Sequence, residues 1–566
     1  MKRAAGSVKC VAIALLSVFM VFLLICSAFA PVLSVFSFTF ARAEVVVSVD
    51  DSDGSKKYIV NDTVRITPLS DTVVRIEEKG KKGFEDRDTF YVLGREDFEA
   101  PESSYAVVGE EIRIAAGSYL VHVPQTAREL SGVYVTDANG FTLYKYNGVS
   151  LPNTYLPSPS DDLRGWYFSD NPRIVPGDNG YSVLEEEIEL NGWDFENEAP
   201  DVYVFVPENY AGFCEDFVTL TGKSNLVDLK NLGFWDSRWY VYDDATALKQ
   251  IQDYLDRGYS IDMLVIDTNW RKGDVNQTPG MDPAVGGMGY EIDENLFPNM
   301  TEFLEKAHEM GVNVIFNDHP EPSEGTTNGL DKDEIEFRSD NLKLILSYGL
   351  DMWWYDRNWH TALNSPDQDL SVFAWGMYAF QFIENEYYEE LSEQELEEFA
   401  RRAIIMGNVD GCLHGNWKYA SDLSSHRYTI QWTGDIGVDE HALALEIRDS
   451  IYGSVENGIP YVSSDIGGHT SAVTDDMYAR WIQYGALSTI CRVHCTHKTY
   501  CHQEGRMPWL FGETAEEVTK EYVGMKYNLM PTYYSLAGEN ANTGLPILRR
   551  LDIAYPQYRE ASRNDE

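Results

Sequence analysis

The sequence predicts an α/β architecture in two parts: an antiparallel β-sandwich over residues 44–230 and a (β/α)8 TIM barrel over residues 231–566. Three observations carry this. Short β-like runs separated by Asp, Asn and Gly turns fill the first part, with no amphipathic helix between them. Past residue 229 the texture changes to strand, then helix, repeated eight times within some 330 residues, the pattern of a parallel barrel. Within that half, Met352-Trp353-Trp354-Tyr355 follows Gly349 and stops at Asp356. A bulky run without polar alternation reads as a strand buried on both faces. A carboxylate at the C-terminal tip of such a strand lies where barrels and open α/β sheets place reactive groups.

In chain order, Lys2 and Arg3 precede an uncharged run over 10–41, followed by Ala41-Arg42-Ala43. That is the layout of a secretory signal with a long apolar core. The run would also span a membrane as an anchor of roughly 20 residues; Pro31 and the small-residue ending favour cleavage. Residues 1–43 are therefore set aside and secretion is expected. A membrane partner enters only if the segment stays uncleaved. No later apolar run reaches that length, so the remainder is expected to be soluble. Five cysteines stay behind, Cys214, Cys412, Cys491, Cys495 and Cys501, too few for a disulfide scaffold. Cys491, Cys495 and Cys501 with His494, His497 and His502 suggest zinc by residue type, but their spacing matches no standard finger. One disulfide within that cluster, or none, fits equally.

A net charge of −46 argues against nucleic acid and anionic membranes as partners. Aromatic residues make up 13% of the chain, which suits stacking on sugar faces. In the sandwich the expected strands are 44–49, 63–66, 72–76, 106–107, 111–115 and 119–123. In the barrel they are 232–235, 263–267, 312–318, 352–356, 403–406, 430–435, 461–465 and 488–494, with helices expected at 244–255, 300–310, 332–346, 393–402 and 440–450. A doubly wound sheet is the competing topology. No Gly-rich phosphate loop follows any strand, which counts against nucleotide use, and no cofactor is implied.

Four expected strands end in carboxylates: Asp267, Asp356, Asp435 and Asp465. Barrel strand ends converge on one mouth. Trp270, Trp353, Trp354, Trp359 and Trp432 lie close in sequence, and Arg427, Arg492, His319 and His494 supply basic groups. Acids with aromatic walls, and no Ser elbow or metal-spaced His pair, fit cleavage of a glycosidic bond. That reaction needs one carboxylate as nucleophile or base and another as proton donor, in environments that part their pKa values. The same acids also fit helix caps, pairs with Arg, or a metal site; for Asp465, before Ile-Gly-Gly, a turn role rivals a catalytic one.

An ordered set of motifs resembles glycoside hydrolase family 31, the retaining α-glucosidase and α-xylosidase family. The motifs are Gly233-Phe234-Trp235, Leu296-Phe297-Pro298, Trp353-Trp354-Tyr355-Asp356, Arg427-Tyr428 leading to Trp432-Thr433-Gly434-Asp435, Ser464-Asp465-Ile466-Gly467-Gly468, Arg492-Val493-His494 and Arg506-Met507-Pro508-Trp509. The resemblance implies a galactose-mutarotase-like sandwich before the barrel. It implies Asp356 as nucleophile and Asp435 as acid/base, with carboxyl groups ~5–5.5 Å apart. Asp267, Trp353, Arg427, Trp432, Asp465, Arg492 and His494 would contact or support the sugar. The implied function is secreted, α-glucosidase-like hydrolysis of α-linked oligo- or polysaccharides through a covalent glycosyl-enzyme, with no metal. Alternatives are an α-transglycosylase, an α-N-acetylgalactosaminidase or α-galactosidase, and, outside enzymes, a carbohydrate-binding pseudoenzyme.

Three departures bear on the sugar. Trp359 stands where the family often has Glu. Trp417 and Tyr419 occupy the region of an upstream Arg, leaving Arg427 the nearest one. His469 replaces a common Phe. His319 and Asn358 are further candidate sugar contacts. The family usually adds two small β-domains after the barrel, and they are expected to be absent from a chain ending at Glu566.

Overall fold

Two antiparallel sheets precede an eight-stranded parallel one. The computed structural model describes residues 46–148 except 53, 156, 162–170, 199–273, 275–283, 289–318, 332–356, 370–391, 402–408, 412–413, 416–417, 422–428 and 430–562, with backbone alone at 332–335, 372–373, 412–413, 416–417, 559 and 562. None of the helices in this set is long and apolar enough to cross a membrane. The N-terminal run at 1–43, residues 393–401 of the helix expected at 393–402, and His319, Asn358, Trp359 and Tyr419 lie outside it.

In the first sheet Val47–Asp50, Lys57–Val60, Val64–Pro68 and Val73–Glu78 run in order, then Asp201–Phe205 and Tyr167–Ser169. The second is a meander of Ser103–Val108, Glu111–Ala116, Tyr119–Pro124, Tyr134–Asp137 and Thr142–Lys145. Val60, Ile66, Ile112, Ile114, Val121 and Val123 are fully buried, as alternation toward an inner face requires. Tyr119 Oη joins the sheets by donating to the Ser70 and Val73 carbonyls at 3.0 Å each. One expectation fails here, because a helix, Tyr210–Thr221, closes this part of the chain. Its signal was legible: Phe213, Phe217 and Leu220 recur at helical spacing and are buried. Asn209 caps it by accepting from the Gly212 N–H.

The barrel strands are β1 (Phe234–Arg238), β2 (Met263–Ile266), β3 (Asn313–Asp318), β4 (Met352–Tyr355), β5 (Ile405–Asn408), β6 (Ile430–Trp432), β7 (Tyr461–Ser463) and β8 (Cys491–Val493). They pair in the order β7-β6-β5-β4-β3-β2-β1-β8. Parallel bridges from Ser463 to Ile490 and from Ile466 to Val493 close the ring. The crossovers carry α1 (Asp244–Asp256), α2 (Met300–Glu309), α3 (Lys332–Ser347), α4 (Val372–Glu390), α5 (Glu440–Glu456) and α6 (Asp475–Leu487), and α7 (Glu513–Thr543) follows β8.

Two apolar clusters divide the strand residues by parity. Trp235, Met263, Val265, Ile315, Met352, Trp354, Met406, Ile430, Trp432 and Tyr461 fill the barrel interior. Phe234, Leu264, Ile266, Phe316, Trp353, Tyr355, Ile405 and Cys491 join the layer against the helices. Successive side chains on a strand point to opposite faces. The parity of each strand's interior residues therefore fixes which residue at its C-terminal tip faces the mouth.

Candidate active site

Parity selects the acids. Asp267 continues Met263 and Val265, Asp356 continues Met352 and Trp354, and Asp465 continues Tyr461 and Ser463. On β8, Arg492 and His494 share the inward face while Cys491 and Val493 pack outward. Asp435 reaches the mouth differently, through a turn after β6 at Gly434, whose φ of +82° lies in the left-handed region that glycine enters freely.

Asp356 is half-buried. Its Oδ2 accepts from Asn317 Nδ2 at 2.9 Å, and its backbone N–H donates to the Asp318 carbonyl, also at 2.9 Å. Asn317 is inward on β3 and fully buried. Asp318, of the opposite parity, turns away to an ion pair with Arg271 and accepts from Tyr290 Oη at 2.7 Å. Asp267 is buried, and its Oδ1 accepts from the Thr268 N–H at 2.8 Å, a capping contact on the short turn that follows. Trp270 in that turn donates Nε1 to the Asn317 carbonyl at 2.8 Å, tying the tips of β2 and β3 together.

On the other side of the mouth, Asp465 is fully buried and satisfied on both oxygens. Oδ1 accepts from Arg492 Nη2 at 2.5 Å and from Trp432 Nε1 at 2.8 Å, while Oδ2 lies 3.2 Å from His469 Nδ1. Burial alone would raise its pKa, but Arg492 and His469 hold it well below the usual carboxylate range. The Arg492 guanidinium lies 5.0 Å from the Trp354 ring centre and 5.9 Å from that of Trp432. It also donates Nε to Ser463 Oγ at 3.0 Å. Trp354 and Trp432 meet edge to face at 4.9 Å. His494 Nδ1 pairs with Ser237 Oγ at 2.7 Å, and burial keeps its pKa well below the usual histidine value. Asp465 is thus a fixed anion in a charge-compensated wall. Asp435 differs: its side chain is 33% exposed, and its Oδ1 lies 3.4 Å from His469 Nδ1.

Beneath this wall, Glu446 of α5 is fully buried and accepts from Thr433 Oγ1 at 2.9 Å and from Ser464 Oγ. It links the loops that carry Asp435 and Asp465. Burial pushes its pKa up to about 7, against the pull of those hydroxyls. An unfolded Glu titrates near 4.3, so between that pH and 7 the unfolded chain binds fewer protons than the folded one. The group therefore lowers stability as pH rises through this window, by about 4 kcal/mol in full. In Glu446→Gln this loss should vanish. Urea midpoints at pH 4.5 and 7.5 should show the variant gaining about that much on the wild type; a pH-independent difference would refute it.

Two expected sugar contacts are corrected. Trp353 is fully buried among Trp270, Tyr290 and Phe316 on the helix-facing side of β4; the inward residue is its neighbour Trp354. Arg427 donates Nη2 to the Phe90 carbonyl at 2.6 Å, against the sandwich and away from the acids. Its neighbour His426 is buried there too, its pKa pushed down to about 3 by burial and by Arg427. Asn317, Ser237 and Glu446 were missed. Parity would have found the first two; no sequence signal points to Glu446.

The suggested zinc set does not assemble. Cys214, Cys491, Cys495 and Cys501 are free buried thiols, and His497 Nδ1 faces Asp282 at 3.3 Å. Asp465, His469 and His494 do bring donors within 4.8 Å of one another. The Arg492 guanidinium already sits on that carboxylate and would oppose a cation.

Compared with known proteins, the Glycosyl hydrolases family 31 TIM-barrel domain matches residues 224–334 and 330–536. A probable glucan 1,3-alpha-glucosidase of Oryza sativa subsp. japonica is 23% identical over 429 residues, covering 69% of this chain and 44% of its own length. An alpha-xylosidase of Saccharolobus solfataricus is 23% identical over 426 residues, covering 67% and 53%. The Flavobacterium johnsoniae GH31 dextranase complexed with glucose shares the fold with a TM-score of 0.61 at 17% identity, over 91% of this chain and 72% of that one. The chain spans about half the length of the curated relatives it matches.

Proposed function

The chain belongs to glycosyl hydrolase family 31, and from that premise we propose that it is a secreted retaining α-glycoside hydrolase of α-linked oligo- or polysaccharides. The observation that carries the reading is the contrast among three acids around one mouth: Asp356 half-buried beside an amide, Asp435 half-buried against His469, and Asp465 sealed under Arg492. In this reading Asp356 attacks the anomeric carbon as Asp435 gives its proton to the leaving oxygen, which departs with the bonding pair. Water then gives a proton to Asp435 and displaces Asp356 from the same carbon. Two inversions return the α configuration. Asp465, with its depressed pKa and complete burial, is unsuited to donate a proton and serves as the fixed anion that orients Arg492, Trp432 and His469. Arg492, His494 and Asp267 line the same pocket, and Trp354 and Trp432 wall it.

An α-glucosidase-like preference is supported by relatives named as glucan 1,3-alpha-glucosidase and alpha-xylosidase. The test is a panel of 4-nitrophenyl α-glucoside, α-xyloside, α-galactoside and α-N-acetylgalactosaminide, with the first-formed anomer followed by proton NMR. Cleavage of one sugar with the α anomer appearing first is expected. Silence across the panel and on α-linked oligosaccharides would overturn the reading, as would a β anomer appearing first. Secretion rests on Lys2, Arg3 and the apolar run at 10–41; the mature N-terminus of protein recovered from culture medium should lie near residue 44.

A further inference from the structure

Resting on the reading of Asp435 as acid/base, we propose that His469 is its positioning residue, a cation shared between Asp435 and Asp465 that lowers the pH up to which Asp435 keeps its proton. His469 Nδ1 faces both carboxylates at once, at 3.4 Å from Asp435 Oδ1 and 3.2 Å from Asp465 Oδ2. The ring cannot easily leave. It stacks on His494 at 5.2 Å with an interplanar angle of 30°, and the backbone of His469 is pinned on both sides: its amide N–H donates to the Ile436 carbonyl and its carbonyl accepts from the Thr496 N–H, both at 2.9 Å. The turn before it passes through Gly467 and Gly468, with φ of +93° and +81°. A Cβ on Gly468 would strike the Gly437 carbonyl and Val438, so the loops of Asp435 and His469 are held in register by close backbone contact.

The charges around the ring favour its protonated form. Burial opposes it, but Asp465, Asp435 and Asp267 raise its pKa above the usual histidine value. On the neighbouring elements His494 is neutral by burial, Arg492 is spent on Asp465, and Arg506 is turned to the Gly468 carbonyl. Coupling between two titrating groups is mutual: whatever Asp435 adds to the affinity of His469 for its proton, the imidazolium removes from that of Asp435. The acid/base would thus titrate lower than strand-end geometry alone would set it.

The experiment pairs kinetics with a titration that needs no turnover. In kcat/KM profiles on an α-linked disaccharide, His469→Phe and His469→Gln should both move the basic limb upward by about one pH unit, and His469→Lys, which keeps a charge, should move it less. By NMR, the His469 imidazole of the full chain should titrate above the ordinary histidine range and fall in Asp435→Asn. A basic limb unchanged in both neutral variants, or a His469 titration indifferent to Asp435→Asn, would overturn the proposal. A silent wild type with the predicted titration would instead overturn the glycosidase reading and leave the charge pair standing.

Discussion

Replacing Asp356 with alanine should abolish turnover, by at least about 10⁴-fold on every substrate the wild type cleaves. Among the described residues no neighbour can stand in for it. The inward residue beside it on β3 is Asn317, an amide, and the inward residue before it on β4 is Trp354. Asp465 is bound to Arg492, and Asp435 follows β6, two strands along from β4. Loss of the acceptor for Asn317 Nδ2 should cost about 1 kcal/mol of stability, so the variant should remain folded, as circular dichroism would verify. Azide is small enough for the space the side chain leaves. Attack by azide opposite the leaving group inverts the anomeric carbon, so the variant with an activated aryl α-glycoside should yield the β-glycosyl azide. Near wild-type rates would remove Asp356 as the nucleophile.

How much of this was legible in the sequence follows from the physics of strands. The barrel, its strands and the four strand-end acids were legible because parallel strands buried on both faces must be apolar until they reach the mouth, and a charge marks where burial stops. Facing direction was harder. Trp353 and Trp354 are equivalent in composition, and only the parity shared with Asp356 shows that Trp354 looks inward. Arg427 was misplaced for another reason: its partner is the Phe90 carbonyl, 337 residues away, and no local pattern encodes so distant a contact. Glu446 sits in an ordinary helix, Glu440–Glu456, and its importance arises only when Thr433 and Ser464 are brought over it. His469 was visible as a departure from the family motif, but that it faces two carboxylates is a fact of the folded turn.

Asp435→Ala should separate substrates by leaving group. On an α-linked disaccharide, whose departing alkoxide needs a proton, kcat/KM should fall by about 10²–10⁴-fold. On a 4-nitrophenyl glycoside, which departs without one, kcat/KM should fall far less, because it reports only the steps through the first irreversible event. The same variant lacks a base for the second step. Its kcat on the aryl substrate should therefore drop, and a burst of nitrophenol should mark the accumulating glycosyl-enzyme. The competing assignment gives Asp465 the acid role, and the structure argues against it: that carboxylate is fully buried and held ionised by Arg492, whereas the Asp435 side chain keeps 33% of its surface open to solvent. Azide again discriminates. With Asp356 intact, azide attacks the covalent intermediate and gives the α-glycosyl azide, the opposite anomer from that expected of Asp356→Ala. Equal losses on both leaving groups, or a β-azide from the Asp435 variant, would sink the assignment of Asp435.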